Sequence, residues 1–171
     1  MIEIRLATTE DIPCLAAIEL AAGELFLQFE FTAALASDTT PVRDFEQAQK
    51  NNLLWVAVQA GKPIGFALAG LLNDAVHLQE LAVHPDHGRQ GIGTKLIQAV
   101  CDWASAGGIQ AMTLTTFLDI PWNAPFYQKL GFRVLEPAEW TLGLKQVVED
   151  EENHGLAREL RAVMRIEITT V

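Results

Sequence analysis

The chain has 171 residues, half of them apolar, with 12 Lys+Arg against 22 Asp+Glu and a formal net charge of −10. That apolar fraction is enough to fill a core and excludes an intrinsically disordered chain, and the length suits a single domain over residues 1–171. The acidic balance, with no Lys/Arg cluster, excludes a basic nucleic-acid face and attraction to an anionic membrane surface.

Met1-Ile2-Glu3-Ile4-Arg5 lacks a basic segment followed by an apolar stretch, so no secretory signal is expected. Ile2, Ile4 and Leu6 alternate with Glu3 and Arg5 as a short strand. Thr8-Thr9-Glu10-Asp11 starts a helix with Pro13 in its first turn, Leu15, Ile18, Ala22 and Leu25 follow at helical spacing, and Gly23 is its natural break. Residues 24–36 read as helical or irregular, 37–42 as a turn, and 45–50 as a short helix. Strands are predicted over Leu53–Gln59, Ile64–Leu71 and Val76–Val83, joined by turns at Ala60-Gly61-Lys62-Pro63 and Asn73-Asp74. The longest clearly apolar run, Phe66–Leu72, falls far short of the ~20 residues that span a bilayer.

A helix is predicted from about Gly91 to Ala106, closed by Gly107-Gly108. Met112–Phe117 is a β run, Asn123–Leu130 a short helix ended by Gly131, Leu144–Glu152 a further helix and Ala162–Ile168 a final strand. These elements make an α/β or α+β domain with a mixed sheet. Two cysteines, Cys14 and Cys101, do not make a disulfide scaffold, and a soluble cytoplasmic domain is the expectation.

The most informative stretch runs from Leu78 to Leu96, where a buried strand feeds Gly88-Arg89-Gln90-Gly91-Ile92-Gly93-Thr94-Lys95 and a helix begins. Amides at a helix N-terminus, with the helix dipole behind them, bind phosphate, and glycine lets the backbone come close to the anion. A dinucleotide fingerprint needs G-x-G-x-x-G, whereas these glycines are spaced G-x-x-G-x-G. A P-loop needs Lys before Ser/Thr, whereas here Thr94 precedes Lys95.

The spacing resembles the pyrophosphate loop of the GNAT superfamily of acyl-CoA N-acyltransferases, Arg/Gln-x-x-Gly-x-Gly/Ala. The departure is Gly88 in the first position, with Arg89 one place later, which removes one side-chain contact and leaves a backbone cradle. Asn123-Ala124-Pro125-Phe126-Tyr127-Gln128-Lys129-Leu130-Gly131-Phe132 resembles the Asn-x-x-x-x-Tyr-x-x-x-Gly-Phe region of the same superfamily, and the run from Thr113 to Tyr127 looks like a bacterial subgroup of it. Read from the residues alone, Asn123 suits an N-cap, Pro125 the first turn, and Asn123 and Tyr127 share one helix face.

The resemblance implies a GNAT fold, a mixed and mostly antiparallel sheet with splayed central strands flanked by helices. It also implies direct attack of an amine on the thioester of acetyl-CoA, the co-substrate, with no metal. Backbone groups of Leu81, Ala82 and Val83 would pair with the pantetheine arm, and the amide of Val83 or Leu81 would polarise the carbonyl. Arg89, Gln90, Gly91, Ile92, Gly93 and Thr94 would bind the pyrophosphate. Tyr127 would protonate the departing thiolate, and Asn123 would contact the pantetheine or position Tyr127. Glu80 is the candidate general base, directly or through water; an apolar strand would raise its carboxyl pKa and suit it to base chemistry near neutrality. Superfamily resemblance also makes a homodimer an expectation.

Other residues read as structure. His84 and His87 form an H-x-x-H pair with Asp86 as the local third donor, short of a metal set. Cys101 and Cys14 read as packing residues, and Trp55, Trp103 and Trp140 as core. Trp122 is a candidate for the acceptor side, as are Glu24, Phe26, Phe29 and Phe31, for which core packing is the competing and favoured reading. Glu149-Asp150-Glu151-Glu152 reads as a solvated helix face, with acidity that could steer a cationic amine. Two functions compete: an N-acetyltransferase acting on a small amine or a protein amino group, and a non-catalytic acyl-CoA-binding or regulatory module of the same fold.

Overall fold

The structure is a computed structural model that describes residues 1–30 and 38–169. Phe31 and residues 31–37 of the predicted helical and turn segments lie outside the described residues. In chain order the elements are β1 (Ile2–Leu6), α1 (Ile12–Gly23), α2 (Val42–Lys50), β2 (Leu54–Gln59), β3 (Lys62–Leu72), β4 (Ala75–Val83), α3 (Ile92–Ala106), β5 (Ala111–Phe117), α4 (Ala124–Lys129), β6 (Arg133–Val134), α5 (Leu142–Asn153) and β7 (Arg161–Glu167). Single 3-10 turns follow α1 at Glu24–Gln28 and precede α3 at Pro85–His87. The strands form one seven-stranded sheet in the order β1-β2-β3-β4-β5-β7-β6. Its pairs are antiparallel for β1–β2, β2–β3, β5–β7 and β6–β7, and parallel for β4–β5. The mixed, mostly antiparallel sheet flanked by helices is the fold class the sequence leads one to expect.

The chain clusters into two compact units. One comprises Met1–Ala69 and Glu80–Val100; the other comprises Gly70–Gln79 and Cys101–Val171. In the first, β1 pairs with β2 from Ile2 opposite Gln59 to Leu6 opposite Trp55. Leu54, Val56 and Phe66 are fully buried, and Phe66 meets Phe45 of α2 edge-on with ring centroids 5.2 Å apart. Asp11 occupies the N-cap position of α1, yet its side chain does not cap the helix. Its carboxylate instead takes both guanidinium donors of Arg5, at 2.7 and 3.0 Å, and the Thr8 amide at 2.7 Å. Arg5 therefore holds that carboxyl below its ordinary value, with the Thr8 bonds adding to the effect.

Strand β4 lies close against β3 where it approaches the glycine loop. His84 N–H donates to the Ile64 carbonyl at 2.9 Å. A Cβ placed on Gly65 would lie 2.9 Å from the Ala82 carbonyl oxygen and 3.3 Å from Val83 Cγ2. Gly65→Ala is expected to lower stability by about 1–3 kcal/mol through this overpacking, read as a reduced urea midpoint. An unchanged midpoint would show that β4 yields at Ala82 without cost.

In the second unit β4 pairs with β5 from Val76 opposite Met112 to Leu78 opposite Leu114, and β5 pairs along its length with β7. Leu135, Leu144, Val148 and Val163 form a buried cluster against Leu72 and Trp140. Helix α5 starts two residues earlier than periodicity suggests, because Thr141 Oγ1 accepts the Leu144 amide at 3.3 Å.

Candidate active site

The glycine loop belongs to the first unit. Arg89 has φ 60° and Gly91 φ 73°. Left-handed backbone is costly for an arginine and easy for a glycine, and such alternation turns successive amides inward to form an anion-binding concavity. Helix α3 makes its first backbone bond from Lys95 N–H to the Gly91 carbonyl at 3.1 Å. The amides of Ile92, Gly93 and Thr94 thus precede its ladder. Arg89, Gln90, Gly91, Thr94 and Lys95 are exposed, whereas Ile92 is buried and anchors the turn. This backbone has the shape and polarity for phosphate. The left-handed Arg89 is the detail that spacing does not reveal.

On β4, Ala82 is 2% exposed, while Glu80, Leu81 and Val83 are half-buried. Glu80, Ala82 and His84 alternate with Leu81 and Val83 along the strand.

Tyr127 and Asn123 belong to the second unit. Tyr127 is 8% exposed, and its ring packs edge-on against Phe126 and Phe132 with centroids 5.1 and 5.6 Å away. Its amide donates to the Asn123 carbonyl at 3.0 Å, and its own carbonyl accepts from Leu130 and Phe132 at 3.0 and 3.1 Å. Asn123 stands at the N-cap of α4 but makes no side-chain cap bond. Its Oδ1 accepts from the Thr116 hydroxyl at 2.9 Å and from the Phe117 amide at 3.3 Å. The residue pins α4, and Tyr127 with it, to the end of β5.

One residue departs from its expected place, and the others can now be located. Cys14 is exposed and is not a packing residue, whereas Cys101 is partly buried and burial pushes its thiol up to about 11. Trp122 is 37% exposed. Phe26 and Phe29 are half-buried, and Glu24 is exposed. His84 Nδ1 accepts the Asp86 amide at 3.3 Å, and the His84 and His87 rings stand 6.1 Å apart. Among the described residues no group of three or more His, Cys, Asp or Glu side chains is arranged to hold a metal, and no helix is long and apolar enough to cross a membrane.

The acidic run is not uniformly solvated. Glu151 turns inward and meets Arg161 Nη2 at 3.0 Å and the Thr115 hydroxyl, both half-buried. Glu152 pairs with Arg158 at 2.6 Å. Glu151 shares the face of Leu144 and Val148, at i, i+4 and i+7, a spacing visible in the sequence. The same unit holds a cleft of about 390 Å³ lined by residues of β4, β5 and α5 and by the segment after α5. Among them is His77, 6% exposed, whose Nδ1 is hydrogen-bonded to the Thr113 hydroxyl at 2.9 Å. Sequence reading passes over His77; its signal is a lone histidine in the apolar run Ala75-Val76-His77-Leu78.

Residues 21–132 match the acetyltransferase (GNAT) family model. The chain belongs to the GNAT family. It is 32% identical over 121 residues to a probable N-acetyltransferase camello of Xenopus tropicalis, covering 67% of this chain and 55% of that one. It spans about half the length of the curated relatives it matches. Among solved structures it resembles PaiA N-acetyltransferase of Thermoplasma acidophilum in complex with coenzyme A, at 18% identity, 98% and 99% coverage and a TM-score of 0.72. It also resembles N-acetylglutamate synthase of Neisseria gonorrhoeae complexed with coenzyme A and N-acetyl-glutamate, at 16% identity, 99% and 35% coverage and a TM-score of 0.73. In this GNAT chain the loop before α3 and the Asn123–Phe132 segment both fall within the matched region or at its edge.

Proposed function

We propose that this GNAT chain is an acetyl-CoA-dependent N-acetyltransferase that transfers acetyl by direct attack of a primary amine, carried by a small molecule or a protein. The observation that carries the reading is the loop from Arg89 to Thr94. Its left-handed Arg89 and Gly91 and the unpaired first amides of α3 make a concavity that suits a pyrophosphate. In this role Arg89, Gln90, Gly91, Ile92, Gly93 and Thr94 hold the phosphates, and the backbone of Leu81, Ala82 and Val83 holds the pantetheine arm. Bound acetyl-CoA supplies an activated thioester.

The remaining chemistry falls to two side chains. An amine attacks only when neutral, so a base must take its proton; Glu80, half-buried on β4, is proposed for this task. The departing thiolate leaves more readily with a proton, and Tyr127 is proposed as its donor. Asn123 serves as a positioning residue, because its Oδ1 fixes the start of α4 to β5. The proposed setting is cytoplasmic, with acetyl-CoA and an amine as partners rather than nucleic acid or membrane, and with a homodimer as the assembly. The net charge of −10 and the free cysteines favour that setting. Amine-dependent release of CoA thiol from acetyl-CoA tests the reading. Tight acetyl-CoA binding with no release for any amine would favour a binding module of the same fold.

A further inference from the structure

Helix α4 has six residues, too few to hold a direction of its own, so the place of Tyr127 depends on what the two ends of α4 are fastened to. Beyond its far end, Leu135 N–H donates to the Val163 carbonyl of β7 at 2.8 Å. Its near end is fastened through Asn123, whose Oδ1 takes the Thr116 hydroxyl and the Phe117 amide. The last residues of β5 are therefore the footing of Tyr127.

That footing is gripped from the opposite face of the sheet. Thr115 and Phe117 alternate with Thr116 along the strand. Phe117 lies directly across from Arg161 of β7, so their side chains share a face. The Arg161 guanidinium stands over the Phe117 ring, with Cζ 4.6 Å from the ring centroid, where a cation is drawn to the π face. Its Nη2 also donates to the Thr115 hydroxyl at 3.2 Å. Glu151 of α5 holds the guanidinium by two prongs, Nη2 to Oε1 at 3.0 Å and Nε to Oε2 at 3.3 Å. The Thr115 hydroxyl donates to the same Oε1. The two charged side chains are only 11% and 17% exposed, so solvent screens the pair weakly. Just beyond Phe117, Leu118 N–H donates to the Leu160 carbonyl at 2.9 Å and keeps β5 beside the segment that carries Arg161. All these residues belong to the second unit. A half-buried ion pair adds little net stability over apolar replacements; what this one supplies is a fixed orientation, through a planar fork that lysine cannot reproduce.

We propose that Arg161, held by Glu151, is a positioning residue for Tyr127: it locks the end of β5 on one face of the sheet while Asn123 ties α4 to that end from α4's side. The inference rests on the transferase reading only in taking Tyr127 as the proton donor.

Tyr127 is the chain's single tyrosine, so full-length protein labelled with 13C-tyrosine gives one set of ring signals that report its surroundings without any assay of turnover. Two substitutions are compared. Arg161→Gln removes the charge, and Arg161→Lys keeps a charge beside Glu151 and serves if the first variant fails to fold. Both are expected to move the Tyr127 signals, Gln further than Lys. Arg158→Gln, which breaks the neighbouring pair with Glu152, should leave them in place. In turnover, Arg161→Gln should lower kcat about 10–10²-fold with KM for acetyl-CoA unchanged. In a Tyr127→Phe background the same substitution should cost less than about twofold, because the group it positions is already gone. Unmoved Tyr127 signals in the Arg161 variants, or an equal loss of kcat in both backgrounds, would overturn the assignment, since a merely structural residue acts alike in each. Moved signals in a protein whose wild type acetylates no amine would support the positioning role and sink the transferase reading. Unmoved signals with normal turnover would sink the positioning role and leave the transferase reading standing.

Discussion

Tyr127→Phe is expected to lower kcat by about 10²–10⁴-fold while acetyl-CoA affinity stays near that of the wild type, the range typical for loss of a positioned general acid. The structure makes this substitution a clean probe. The ring of Tyr127 is 8% exposed and packs edge-on between Phe126 and Phe132, so a phenylalanine keeps the same packing. The backbone bonds that place it, to Asn123, Leu130 and Phe132, do not involve the side chain. What changes is the hydroxyl. Single-turnover rates with isothermal titration of acetyl-CoA separate the outcomes. A fall in rate at constant affinity identifies the proton donor, whereas an unchanged rate removes Tyr127 from the mechanism and leaves it a core aromatic.

Acidification from pH 7 to pH 4 is expected to cost wild-type stability that a His77→Asn variant does not lose, by up to about 3 kcal/mol. The sign follows from the direction of the shift. His77 falls from its ordinary 6.5 to about 4 because burial disfavours the imidazolium, against a smaller opposing pull from Glu151. Between those two values the unfolded chain binds a proton that the folded chain refuses. Stability is therefore highest above pH 6.5 and declines as pH falls towards 4. Asparagine can still meet the Thr113 hydroxyl and does not titrate. Burial raises the Glu19 carboxyl, which pushes stability the opposite way over the acidic range, but it does so equally in both proteins and cancels in the difference. Asp11, held low by Arg5, acts below its ordinary 3.8. Urea midpoints at stepped pH give the comparison, and parallel curves for the two proteins would contradict the burial of His77.

Much of the fold is written plainly in the chain because its elements carry clear periods or clear breaks. Ile2, Ile4 and Leu6 mark β1 by alternation, and Gly23 and Gly107-Gly108 stand where α1 and α3 end. The two-residue strand Arg133–Val134 escapes the sequence because it is too short to show a period. The capping residues show a different limit. Asp11 and Asn123 both stand at N-cap positions, but each spends its side chain on a neighbouring strand, a choice that only tertiary packing makes.

The candidate site divides in the same way. Gly91 and Gly93 announce the proposed phosphate loop, and Asn123 and Tyr127 the second motif, because both depend on local spacing. Arg89 in left-handed backbone could not be read, since spacing says nothing of φ for a non-glycine. The cleft beside α5 was hidden for another reason. His77 and Thr115 come from different strands, and Asp150 from a helix far along the chain, so no sequence window holds them together. Four consecutive acids look alike in composition, and the partners Arg161 and Arg158 are what tell Glu151 and Glu152 apart from Asp150.

The central claim is acetyl transfer to nitrogen, and the most direct measurement incubates the full chain with acetyl-CoA and single amines, from alkylamines and polyamines to amino acids and N-terminal peptides. Free CoA thiol and acetylated amine are quantified together by mass spectrometry. The account predicts that at least one amine yields both products in equal amounts, with thiol release near background when the amine is omitted. Acetyl-CoA binding without any N-acetylated product across the series, or thiol release that ignores the amine, would contradict it.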